Sequence, residues 1–106
     1  MDFQTALDNF AAKLQAFWQE DYQKNCPNAV AHGLPLPTVE IQPGPKYVRI
    51  VKRDTGACAY CFIARENGDI LKPASWKAPA KHARGNIYNA NPLEGCGPHG
   101  VAYLRG

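Results

Sequence analysis

Lys46 to Lys72 reads KYVRIVKRDTGACAYCFIARENGDILK, and its two turn signals decide the fold. In Lys46–Asp54 (KYVRIVKRD), Val48 and Ile50 fall on one face of an extended chain, with Tyr47, Arg49, Val51 and Arg53 on the other. Thr55-Gly56 supplies a turn. Cys58 to Glu66 then reads as the return strand, with Cys58, Tyr60, Phe62 and Ala64 alternating with Ala59, Cys61, Ile63 and Arg65. Asn67-Gly68 marks a second hairpin, because both central positions of the favoured two-residue turn need positive φ. Asp69 to Lys72 is the third strand, ended by Pro73.

Ahead of this meander, residues 1–25 read as one helix. Asp2 is placed to cap it, and Phe3, Ala6, Leu7, Phe10, Ala11, Leu14, Phe17 and Trp18 recur at three-and-four spacing, leaving Gln4, Asp8, Lys13 and Gln15 for water. Packing on a sheet explains that aromatic face; a homodimer or partner-binding face is the alternative if a small core does not cover Phe10, Phe17 and Trp18 together. Pro27 stops the helix, and the prolines at 27, 35, 37, 43 and 45 predict an extended connection over 26–45, with Val39–Gln42 as a short or edge strand. Residues 73–100 read as a basic and glycine-rich loop region, with a helical turn beginning near Ala74 or Ser75. Val101 to Leu104 is a candidate closing strand. The expected class is α+β: a single domain over 1–106, one amphipathic helix packed on a small antiparallel sheet of three to four strands, with long irregular loops.

A chain of 106 residues supports one modest core, and nine glycines and nine prolines assign much of it to turns. Its opening residues lack the pattern of a secretory signal, and no apolar run approaches bilayer length, so a cytoplasmic location without membrane association is expected. The net charge of +3 is unevenly spread. The first 25 residues carry four carboxylates against two lysines, so the basic excess lies downstream, in Lys46, Arg49, Lys52 and Arg53 and in a second cluster.

That second cluster lies in NGDILKPASWKAPAKHARGNIYNANP, from Asn67 to Pro92. No acidic residue stands between Asp69 and Glu94, while Lys72, Lys77, Lys81 and Arg84 recur every three to five residues among Trp76, His82 and Tyr88. Cations neutralise phosphates and flat rings stack on bases, so this pattern suits a nucleic-acid backbone; a solvated basic loop around a buried tryptophan gives the same pattern. If the Tyr47, Arg49, Arg53 face lies beside residues 72–84, the two clusters form one cationic groove, with Tyr47 and Trp76 as stacking candidates. Arg84-Gly85-Asn86 offers a phosphate nest if Gly85 is left-handed. The candidate nucleic-acid-binding residues are therefore Tyr47, Arg49, Arg53, Lys72, Trp76, Lys77, Lys81, His82 and Arg84.

Cys58-Ala-Tyr-Cys61 and Cys96-Gly-Pro-His99 have the spacing of a tetrahedral zinc site. Against it, Cys58 and Cys61 lie within a strand, where residues three apart point to opposite faces, and buried cysteines are the simpler reading. No phosphate-binding or dinucleotide glycine motif is present, so no cofactor is expected, and no pairing of thiol, imidazole or carboxylate singles out a catalytic site.

At GDILKPASWKAPAKHARGNIY, followed by GPHGVAYLR, the chain resembles a group of small proteins encoded by tailed bacteriophages, over about its C-terminal two thirds. The resemblance implies a phage origin and the host cytoplasm, and carries over no functional residue. The resulting expectation is a non-enzymatic protein binding single-stranded DNA or RNA without sequence preference. An inhibitor or modulator docking on a host protein is the alternative, and a zinc-stabilised interaction module the third.

Overall fold

The computed structural model describes residues 2–54, 56–89, 92, 93 and 96. Helix α1 spans Phe3–Asn25, and the Asp2 side chain caps it by accepting from the Thr5 amide at 2.7 Å. It ends at Cys26, whose amide donates to the Tyr22 carbonyl. The connection that follows is not extended from its start. Pro27 begins a second helix, α2 (Pro27–Ala31), because proline at the first helical position forfeits only an amide that has no intrahelical partner. Gly33, at φ 77°, turns the chain out of it.

Five strands follow: β1 Thr38–Pro43, β2 Tyr47–Arg53, β3 Ala57–Ala64, β4 Asp69–Pro73 and β5 Pro79–Asn86. They form one antiparallel sheet in the order β1-β2-β3-β4-β5, so the α+β class holds with a larger sheet than the expected three to four strands. The added strand is β5, from the stretch expected as a loop. Its apolar pattern is absent because its pairing is main-chain pairing with β4, and its lysine, histidine and arginine are the side chains expected of a sheet edge. Pro79 opens the strand, where it is tolerated, and Gly85 lies in extended backbone opposite Ile70. Residues 74–78 form the hairpin tip instead of a helical turn: the Ala74 and Ser75 amides donate to the Ala78 carbonyl, and the Ser75 hydroxyl accepts from the Lys77 and Ala78 amides. The closing strand expected at 101–104 lies outside the described residues.

The β3–β4 turn differs in detail from the two-residue form. Gly68 has φ 79° and donates its amide to the Ala64 carbonyl at 2.8 Å, while Asn67 keeps negative φ and accepts from the Asp69 amide through its side chain.

The helix covers one face of the sheet. Phe10, Leu14 and Trp18 are fully buried among Val48, Ile50, Ile63 and Ile70, and Phe17 packs partly buried beside them, so the aromatic face is spent on the chain's own core. Gln15 does not face only water: its side-chain oxygen accepts from the Val39 amide at 2.9 Å, and Gln19 donates to the Pro37 carbonyl, tying α1 to the start of β1. Trp18 meets Tyr60 edge-on with ring centroids 4.8 Å apart.

Alternation along β2 sends Arg49, Val51 and Arg53 to the opposite face. A bulge in β3 at Tyr60 keeps Tyr60 and Cys61 both on the helix side while Phe62 points away. Val51, Phe62 and Leu71 are nonetheless buried on that far face, beneath the surface that carries the candidate site.

Candidate nucleic-acid interface

The far face of β1 and β2 is laid out by register. Gln42 stands opposite Arg49, and Arg49 opposite Phe62, so one row across three strands holds an amide, a guanidinium and a ring. Arg49 donates through Nε to Gln42 Oε1 at 2.7 Å and through Nη1 to the Trp76 carbonyl at 3.0 Å. Its guanidinium also lies 4.4 Å from the centroid of the Trp76 ring. The β4–β5 tip is thereby held over β2, bringing Trp76 and Lys77 from the second basic cluster to the first. Trp76 is 41 % exposed, which places it on the surface and not in the core.

Between that tip and the β1–β2 turn is an open groove of about 240 Å³, lined by Gln42, Pro43, Gly44, Pro45, Lys46, Tyr47, Arg49, Phe62 and Lys77. One rim is built on Gly44, whose amide donates to the Tyr47 carbonyl at 2.9 Å and whose carbonyl accepts from Arg65 Nε at 2.6 Å. Lys46 places its ammonium 5.5 Å from the Tyr47 ring centroid. The groove is thus lined by the Lys46–Tyr47 pair, by Arg49 and by Lys77, and Trp76 joins it only through its contact with Arg49.

The remaining candidates are distributed differently. Arg53 donates to Glu40 at 2.7 and 3.1 Å, so much of its charge is met within the protein. Those bonds, then one from Gln42 and the nearby charge of Arg49, hold the Glu40 carboxyl below its ordinary range. Lys72 follows Ile70 along β4 and by alternation belongs to the helix side. Lys81 and His82 are exposed on β5, three strand positions from Arg49, or roughly 14 Å at the usual spacing. Arg84 is half-buried, with Nε and Nη1 shielded and without hydrogen-bond partners among the described residues. The expected phosphate nest is absent, because Gly85 is a strand residue without positive φ.

Two of the thiols, Cys61 and Cys96, are poorly placed for nucleophilic chemistry. Burial pushes the Cys61 thiol well up, with Cys96 adding to it, and burial likewise raises Cys96. Tyr60 is also raised, first by burial and then by the two neighbouring cysteines. These groups stay protonated near neutrality, the opposite of an activated thiolate. The β3 bulge also changes the expected geometry of Cys58 and Cys61. They pair with Lys52 and Ile50, residues of the same alternating set, yet Cys58 is exposed and Cys61 is sealed in the core. Among the described residues, no group of three or more His, Cys, Asp or Glu is placed to hold a metal, and His99 lies outside them.

Gln42, Lys46 and Phe62 belong to the groove but were not singled out as site residues from sequence. The signal was present in the Pro43-Gly44-Pro45 turn, which makes β1 and β2 a hairpin and so sets Gln42 opposite Arg49. No helix among the described residues is long and apolar enough to cross a membrane.

A family model described as a family of unknown function, DUF7717, matches residues 1–99. No curated protein and no solved structure matches the chain.

Proposed function

The chain belongs to this family of unknown function, DUF7717, and we propose that it binds single-stranded nucleic acid through the face of its sheet opposite α1. One observation carries the reading: the contact of Arg49 with Trp76 draws two cationic, aromatic segments, separate in sequence, around one groove. Lys46, Arg49 and Lys77 supply positive charge for phosphates, and Tyr47 and Trp76 supply rings on which exposed bases stack. Arg53 contributes less because Glu40 meets its charge. Lys81 and His82 extend the basic surface to the far edge of the sheet, along which a strand leaving the groove would run. The resemblance to tailed-phage proteins supports a host cell as the setting of this activity.

The test is fluorescence anisotropy of labelled single-stranded DNA and RNA at low and moderate salt, with Lys46→Glu/Lys77→Glu as the comparison. Binding should weaken steeply with salt and fall sharply in the double variant, whose circular dichroism should match wild type. Absence of binding to either polymer at low salt would overturn the proposal.

A further inference from the structure

We propose that the groove between the β1–β2 turn and the β4–β5 tip receives a single nucleotide unit of the bound strand, with its base against Tyr47 and its phosphate between Lys46 and Lys77. This rests on the nucleic-acid reading and narrows it to one place and one stoichiometric unit. The scale is compatible with it: the groove, about 240 Å³ and open to solvent, is of the order of one base with its phosphate. Its Pro43-Gly44-Pro45 rim is held by the hydrogen bonds of Gly44 to Tyr47 and Arg65, so the recess exists before any ligand arrives. Phe62, 3 % exposed, contributes a buried apolar ring to its lining, and Lys46 and Lys77 are its exposed cations.

The same geometry argues against reading the identity of the base. Gln42 is the groove's side-chain amide, and both its ends are engaged: the oxygen accepts from Arg49 and the nitrogen donates to Glu40. Ring stacking and ammonium contacts do not distinguish one base from another, so the site accepts any base that is unpaired and free to leave its neighbours. A duplex, whose bases are stacked and paired, offers its phosphates to the lysines but no base to Tyr47.

The experiment uses the full chain and a labelled 12-mer of single-stranded DNA, with AMP, adenosine and inorganic phosphate as competitors. AMP should displace the 12-mer at lower concentration than either adenosine or phosphate, since only AMP carries both ring and charge. Tyr47→Ala should weaken 12-mer binding roughly tenfold, the loss of one stacked base, while Tyr47→Phe retains it and Lys81→Glu loses less. Amide NMR shifts on adding AMP to the wild-type protein give a readout independent of variant folding, and should centre on Gly44, Tyr47, Phe62 and Lys77. Shifts centred on Lys81–Arg84, or salt-sensitive 12-mer binding unchanged in a folded Tyr47→Ala, would overturn the groove while leaving the broader function standing. Failure of the 12-mer to bind wild type at low salt would overturn both.

Discussion

Arg49 and Trp76, 27 positions apart in sequence, are joined twice: the guanidinium lies 4.4 Å from the indole centroid, and Nη1 donates to the Trp76 carbonyl at 3.0 Å. Gln42 fixes the other side of the guanidinium through Nε. Arg49 therefore determines where the β4–β5 tip rests on the sheet, and with it the width of the groove.

Removing that contact has a measurable cost. Arg49→Ala should destabilise the protein by about 2 kcal/mol, the combined scale of one exposed cation–π contact and the two hydrogen bonds to Trp76 and Gln42. Arg49→Lys should recover only part of it, because an ammonium cannot stack flat while donating from its edge. Urea unfolding measures both. Acrylamide quenching should separate the two tryptophans, Trp76 being accessible and Trp18 shielded, with Trp76 becoming more accessible in Arg49→Ala.

Gly68 and Gly33 share a positive φ, 79° and 77°, but not an environment. A Cβ at Gly68 would sit 2.6 Å from the Tyr88 ring, whereas one at Gly33 meets nothing within 4 Å. Gly33→Ala should therefore cost about 1 kcal/mol, the left-handed penalty alone. Gly68→Ala should cost distinctly more, and equilibrium denaturation of the two variants side by side checks the order.

Glu40 makes part of the stability pH-dependent. Its carboxyl is held below the ordinary 4.5 chiefly by the hydrogen bonds from Arg53, so the ionised form is favoured in the folded protein. That contribution is fully present above about the ordinary value and is lost as pH falls through the lowered one. Wild type should accordingly exceed Glu40→Gln in melting temperature at neutral pH, with the gap closing below pH 4.5. High salt should narrow the neutral-pH gap, since the Arg53–Glu40 pair is exposed.

The cysteines should separate by accessibility. Cys26 and Cys58 are exposed and should be alkylated in the native protein, whereas Cys61 should react only on unfolding, and Cys96 slowly. For Cys61 and Cys96, burial both restricts access and disfavours the thiolate that reacts. Mass spectrometry after brief iodoacetamide treatment at neutral pH, with and without urea, reads the pattern directly.

Local chemistry alone determined the capped helix, the β2 and β3 strands and the glycine at their following turn: spacing of apolar residues, a carboxylate at the cap and a residue tolerant of positive φ each act within a few positions. Those rules carry no information about partners distant in the chain. β5 became a strand because β4 offered it a ladder, although its own side chains show no alternation. Pro27 ended one helix and, by the same missing amide, began another. A single bulge at Tyr60 brought Cys58 and Cys61 to the same side of the sheet, against simple counting by twos. The basic residues were visible from the start, but which of them act together was decided by the tertiary structure alone. Register set Gln42, Arg49 and Phe62 in one row, Glu40 claimed Arg53, and the hairpin tip folded back to place Trp76 on Arg49. Contacts across 27 residues depend on how strands pair and where a turn closes, and only the folded sheet supplies both.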